Sequence, residues 1–168
     1  MEVVIASKVE NLEDLYEDLL KDLYSAEKQL VKALPKMAKN ADSPDLQKAF
    51  KDHLGQTEKH VERIERIFSS LDGSPRGKKC VGMEGLIAEG DELLKEDVDP
   101  DVLDAGLIAA AQKVEHYEIA SYGTARAWAE KIGHQDHARL LQQTLDEEAM
   151  ANEKLTDLAE SYINMEAQ

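Results

Sequence analysis

Residues 71–101 read LDGSPRGKKCVGMEGLIAEGDELLKEDVDPD, and their length decides the fold. They open on turn residues, Asp72-Gly73-Ser74-Pro75. They close on Asp99-Pro100, a helix cap followed by a proline suited to the first helical position. Between these ends lies a polar connection holding a shorter amphipathic piece around Met83 to Glu96. A plain up-and-down bundle needs only a short middle link, which this stretch is not.

Long amphipathic segments flank the connection. From about Val9 to Lys39, the residues Leu12, Leu15, Tyr16, Leu19, Leu23, Ala26, Leu30, Leu34 and Met37 recur at helical spacing. Pro35 inside that run predicts a kink or an early end. Ser43-Pro44 starts a second helix with the stripe Leu46, Phe50, Leu54, Val61, Ile64, Phe68 and Leu71. The third follows Asp99-Pro100 through Leu107, Ala111, Val114, Tyr122, Ala125 and Ala129, with Gly133 as its breaker. The fourth runs from about Gln135 to Ile163 along Leu141, Leu145, Leu155, Leu158 and Tyr162. No strand-like alternation competes. The reading is an all-α, ferritin-like four-helix bundle: two antiparallel hairpins joined by a crossover with a short extra helix. A weak repeat supports it, since a shift of 91 positions lays Glu27 on Glu118, Phe50 on Leu141 and Ile64 on Leu155.

The chain of 168 residues fits one domain, 1–168, with residues 1–8 expected to be flexible. Its formal charge of -15 repels phosphate backbones, so nucleic acid is excluded as a partner class. The single Cys80 excludes an internal disulfide and a Cys-rich metal site. Lys78 and Lys79 flank it and are able to lower its pKa, but a structural thiol is the favoured reading. No apolar run reaches membrane-span length, and the first residues lack the basic start of a signal peptide. The expected compartment is the cytoplasm.

Acidic residues stand where leucines belong. Glu27 sits on the first apolar stripe among Leu23, Leu30, Val31 and Leu34. Glu118 is central on the third stripe, with Glu115 one turn earlier, and Glu148 is central on the fourth, flanked by Glu147. His53 is near the centre of the second. Counting from the hairpin turns puts Glu27, Glu118 and Glu148 at one level, with Gln56 beside them and His53 about one turn, ~6 Å, away. Each buried charge costs several kcal/mol unless compensated, and no Lys or Arg is evident on the same faces. A pair of metal ions taking oxygen ligands and imidazole is the economical compensation, iron or manganese by ligand type. The candidate ligands are Glu27, His53, Glu115, Glu118, Glu147 and Glu148, with Gln56 weaker. A metal-free version would instead keep some carboxyls protonated and bonded to Tyr24, Tyr117 or Tyr122. His60, His116, His134 and His137 read as surface or rim residues.

Several runs carry a resemblance: 22–30 (DLYSAEKQL), 53–57 (HLGQT), 79–87 (KCVGMEGLI), 114–122 (VEHYEIASY) and 145–148 (LDEE). Over nearly its whole length the chain resembles the YciF/YciE family of bacterial stress proteins, in the ferritin-like superfamily. The resemblance implies a homodimer of four-helix bundles, a di-metal site of di-iron or di-manganese type, and a role in osmotic or oxidative stress. Two departures bear on chemistry. The family usually has Glu where Gln56 stands, and losing that charge implies weaker metal binding or one ion only. The Glu-x-x-His of ferritins is absent after Gln56, Glu147 and Glu148, which argues against ferroxidase chemistry. The two function classes are therefore a metal-binding protein, with a di-metal oxidoreductase as its catalytic form, and a non-catalytic acidic scaffold with a vestigial or single-metal site. Iron storage is a weaker third and needs a shell assembly.

Overall fold

The computed structural model describes residues 8–168. The flexible stretch expected over residues 1–8 lies outside the described residues, apart from Lys8. Five long helices are α1 (Leu12–Asn40), α2 (Pro44–Ser70), α3 (Val81–Lys95), α4 (Pro100–Lys131) and α5 (Gln135–Leu158). A π-helical turn (Ala159–Ile163) and a short α6 (Asn164–Glu166) continue α5. The described residues contain no strand.

The caps follow the side chains. Asn11, Ser43, Cys80 and Asp99 each accept a hydrogen bond from a backbone N–H in the first turn of α1 to α4, respectively. Gly133 ends α4 with φ +91°, beyond the ordinary range of other residues. Gly133 N–H donates to Glu130 C=O and His134 N–H to Ala129 C=O, the paired bonds of a glycine C-terminus. Pro35 does not end α1 early. The helix runs to Asn40, held beyond the proline by buried Leu34 and Ala38.

Helix α1 packs on α2 and α4, and α5 packs on α4 and α2, which closes the bundle. Helix α3 lies outside it, against α4 and α1. Its N-terminus is fixed by the buried Cys80 thiol, 3.2 Å from Asp22 Oδ2 and 3.1 Å from the Tyr117 hydroxyl. A Cβ on Gly82 would come within 2.7 Å of the Tyr117 ring, so only glycine lets the helix approach this closely. Burial pushes the thiol pKa up. Lys78 pairs with Asp18 and Lys79 with Glu84, so the two lysines do not activate the thiol.

The apolar core forms two clusters. One gathers Leu30, Leu34, Phe50, Leu107, Val114 and Leu155. The other gathers Tyr16, Leu20, Leu23, Ile64, Phe68, Tyr122 and Leu141. A polar layer separates them.

Two buried polar residues at the bundle ends carry more than their sequence suggested. Asp104 accepts from Asp42 N–H at 2.8 Å and Ser43 N–H at 2.7 Å, tying α4 to the α1–α2 turn. Replacing it with Ala leaves two N–H groups unpaired, so Asp104→Ala is expected to destabilise by roughly 2–4 kcal/mol, with Asp104→Asn closer to wild type; urea unfolding midpoints check this. His137, expected at the surface, is buried. Its Nδ1 faces the Tyr16 hydroxyl at 3.1 Å and its Nε2 meets Ser70 Oγ at 2.7 Å, while His134 stacks on its ring. Burial, and then the charge of His134, hold its pKa below the ordinary value. The folded state thus prefers neutral His137, and the unfolded chain takes the proton first as pH falls. Stability is fully present above about pH 6.5 and is lost as pH drops through the unfolded value toward the folded one. His137→Gln is expected to flatten that decline, read as thermal unfolding between about pH 7.5 and pH 5.5.

Candidate metal centre

All four bundle helices send an acid or imidazole into the layer between the apolar clusters. From α1 comes Glu27, on the same buried stripe as Leu23, Leu30 and Leu34. Helix α2 supplies His53 and His60, α4 supplies Glu115 and Glu118 one turn apart, and α5 supplies Glu148. Glu27, His60, Glu118 and Glu148 are 0% exposed, Glu115 3% and His53 6%, so water reaches almost none of these charges.

Two groups have ligand atoms within 4.8 Å of one another: His53, Glu115, Glu118 and Glu148, and Glu27, His60 and Glu148. Glu148 belongs to both. In the first, His53 Nε2 lies 3.2 Å from Glu115 Oε1 and 3.6 Å from Glu148 Oε2. In the second, His60 Nδ1 lies 2.8 Å from Glu148 Oε1 and 3.2 Å from Glu27 Oε1. These contacts are close but not aligned as hydrogen bonds, since neither ring nitrogen has a hydrogen-bond partner. Tyr122 donates its hydroxyl to Glu27 Oε1 at 2.5 Å.

A layer behind the groups sets the imidazoles. Burial raises the Glu147 pKa, but its bonds to Arg63 and His60 outweigh that and hold it below the usual value. An ionised Glu147 only accepts, so His60 Nε2 carries a proton and donates to Glu147 Oε2 at 2.8 Å. Arg63 grips the same carboxylate through both terminal nitrogens, at 2.7 and 2.9 Å. On the other imidazole, His53 Nδ1–H donates to Gln56 Oε1 at 3.2 Å, which leaves Nε2 facing the acids.

Burial first, and then the charge of Glu148, push the carboxyls of Glu115 and Glu118 well above their ordinary pKa. Glu148 goes the other way. Burial raises it, but the adjoining Glu115 and His60 and the charge of nearby His53 bring it down to about 2. His60 is pulled down by burial and lifted by Glu148 and Glu27, and it ends at about 10. Without a metal, its imidazolium is the cation of the layer. Burial and the Glu27 charge raise the Tyr122 hydroxyl.

The residues could hold metal, on an observation independent of any motif. Among the described residues, ten buried side-chain N or O atoms lack a hydrogen-bond partner. Eight of them belong to Glu27, His53, His60, Glu115, Glu118 and Glu148. Buried polar atoms are otherwise almost always paired. Here the unpaired ones are hard oxygens and imidazole nitrogens gathered in one place, the donor set of iron or manganese.

Of the residues singled out in the sequence, the structure brings Glu27, His53, Glu115, Glu118 and Glu148 together. Glu147 and Gln56 lie outside both groups, one behind each imidazole. His60 is a correction, because it is not a rim residue but fully buried among the acids. The signal was in the spacing: seven residues after His53 means nearly the same helix face. Arg63 is a second correction, supplying the cation that the stripe reading did not find. Tyr24 donates to Glu65 rather than to Glu27.

Comparisons with known proteins agree with this architecture. Residues 11–168 match the family described as a domain of unknown function, DUF892. Protein YciF of Escherichia coli strain K12 is 47% identical over 161 residues, covering 95% of this chain and 97% of that protein. The crystal structure of the E. coli stress protein YciF superposes with a TM-score of 0.89 over 93% of this chain and 99% of that one. YcfI from Rhodopseudomonas palustris, described as a proposed structural protein, gives 0.87 at 46% identity, covering 90% and 97%. A protein of Xanthomonas campestris, at 21% identity and a TM-score of 0.74 over 92% of this chain and 94% of that one, shares the fold alone. With the family matched from Asn11 to the last residue, and a curated relative near half identical along almost its whole length, the chain belongs to the YciF-containing DUF892 family.

Proposed function

We propose that the chain binds two iron or manganese ions inside the bundle and uses them in a bacterial stress response. The carrying observation is the concentration of unpaired buried donor atoms on six residues that share Glu148. His53, Glu115, Glu118 and Glu148 hold one ion, and Glu27, His60 and Glu148 the other. A bound pair of this type supplies electron transfer toward oxygen or peroxide. The protein's own contribution is orientation and exclusion of water. Glu147 and Gln56 turn the imidazoles, Tyr122 holds one oxygen of Glu27, and the apolar clusters seal both sides. The stress role rests on kinship with YciF, whose crystal structure is described as that of a stress protein. A cytoplasmic homodimer acting without nucleic acid completes the reading. No helix among the described residues is long and apolar enough to cross a membrane.

One observation favours a metal-free alternative, a non-catalytic acidic scaffold. The His60 imidazolium and the raised carboxyls of Glu115 and Glu118 balance the layer with protons alone.

Metal analysis of protein purified without chelators separates the two. The expected content is about two ions per chain, falling to about one in Glu27→Ala and to nearly none in Glu148→Ala, the residue common to both groups. Wild type without metal, and unable to take up Fe(II) or Mn(II) on titration, defeats the metal reading. A second measurement uses stability. Metal binding is expected to raise the unfolding temperature of wild type with the logarithm of free ion concentration above the dissociation constant. Glu118→Gln keeps the shape of the protonated acid but cannot ionise, so it is expected to be close to wild type in stability in chelated protein yet to lose most of the metal-dependent gain.

A further inference from the structure

A cavity of about 200 Å³ lies on one side of the polar layer, among α1, α2, α4 and α5. Leu34, Phe50, Val114 and Leu155 give it mostly apolar walls, and the exposed Asp52, Met150 and Lys154 mark where it reaches the surface. The nearly buried His53 and Glu115 form its inner wall together with Gln56. The space stops short of the donor atoms. His53 Nε2 and Glu115 Oε2 have almost no accessible surface, so an ion in the cavity meets the His53 ring and not the acids behind it. A side chain has to move before that ion is bound. In a close-packed interior a side chain turns only where space is left beside it, and the cavity leaves that space beside His53. Little holds the ring in place. Its one hydrogen bond runs from Nδ1–H to the neutral amide of Gln56 at 3.2 Å. Its contacts with Glu115 at 3.2 Å and Glu148 at 3.6 Å are not aligned as hydrogen bonds. His60 is held differently: it is fully buried, and its Nε2 donates to a carboxylate of Glu147 that Arg63 grips with two nitrogens. Bonds to an ionised partner are about twice as strong as neutral ones.

We propose that His53 is the gate of the layer: its ring swings off Gln56 into the cavity, to another staggered rotamer, and opens Glu115 and Glu148 to an ion arriving by that route. The His53 group is then filled from outside. Glu148, which belongs to both groups, links it to the fully buried pair of Glu27 and His60. The mouth itself carries both signs, Asp52 with Lys48 and Lys154, so the pull on a cation comes from the acids behind the ring. The swing needs no metal. Its service to an entering ion rests on the metal reading above.

Chelated full-length protein, carrying carbon-13 at the imidazole Cε1 positions, is followed by relaxation dispersion, which reads motion on the microsecond-to-millisecond scale. His53→Gln and His60→Gln assign the two signals. Exchange is expected at His53 and not at His60. Ala151 and Ala49 line the cavity. Ala151→Phe fills the space and is expected to suppress the His53 exchange, and Ala49→Leu serves if the larger side chain prevents folding. Mixing chelated protein with Mn(II) then reads entry. Ala151→Phe is expected to slow uptake about tenfold or more while reaching the same final metal content, and Gln56→Leu, which removes the acceptor, to speed it. A still His53 ring, or exchange that neither filling variant suppresses, overturns the gate. Uptake as fast in the filling variants as in wild type overturns the route, and an unchanged rate in Gln56→Leu overturns the hold assigned to Gln56. Exchange at His53 in protein that takes up neither Mn(II) nor Fe(II) supports the moving ring and defeats the metal reading alone. Metal uptake past a still ring defeats the gate and leaves the metal reading standing.

Discussion

Repulsion among carboxylates held out of water is the constraint on which the rest of this molecule turns. Four acids and two imidazoles share one dry layer, and taking such groups from water costs several kcal/mol each even after relaxation. That is comparable to the whole stability of a domain of this size. The structure meets it in two ways at once. Protons on His60, Glu115 and Glu118 reduce the net charge, and the remaining donor atoms converge closely enough for a cation to satisfy them together. The layer also divides the apolar core, so each cluster holds its end of the bundle without the other. The outlying polar ties at Asp104 and His137 stand where each cluster gives out toward a bundle end.

The two imidazoles are not backed alike. His60 leans on an ionised carboxylate that Arg63 grips with two nitrogens, an arrangement that fixes the ring and strengthens it as a ligand. His53 leans on the neutral amide of Gln56. An amide oxygen is a weaker acceptor than a carboxylate, so the His53 nitrogen facing the acids is the less basic donor of the two. Gln56 thus stands behind the imidazole and outside both groups of converging donor atoms. The two groups share Glu148 but differ in the backing the protein gives their imidazoles.

Much of this was legible from spacing alone. The long connection at 71–101, the proline-led starts at Pro44 and Pro100, and Gly133 each named a boundary that the chain adopts, because caps and turns depend on local chemistry. Glu27, Glu115, Glu118 and Glu148 announced themselves as charges on apolar stripes. What stayed hidden depends on which residues meet across helices. His60 shares its face with His53, but histidine is common at rims, and nothing local says that Glu27 and Glu148 would enclose it. Arg63 lies just off the stripe and reaches Glu147 only because α2 and α5 pack side by side. His137 needs Tyr16 and Ser70 from two other helices to become a buried neutral group. Of the kink or early end expected at Pro35, the early end does not occur. Proline removes one helical bond, and the burial of Leu34 and Ala38 outweighs that loss.

The rotation of α4 about its axis ties the crossover to the centre. Glu115 and Glu118 point inward from this helix, while the Tyr117 hydroxyl donates to Asp22 of α1 and meets the thiol of Cys80, which caps α3. Gly82 leaves no room for the Tyr117 ring to shift toward α3. On the inner side, Tyr122 holds Glu27 from one turn further along the same helix. A slip of one residue in α4 would turn all of these side chains by about 100°. The outer bonds to Asp22 and to the Cys80 cap of α3, and the inner bond to Glu27, would then break together. The long crossover is therefore more than a connection between hairpins. By laying α3 against α1 and α4 and engaging Tyr117, it fixes from outside the angle at which α4 presents its two acids to the layer.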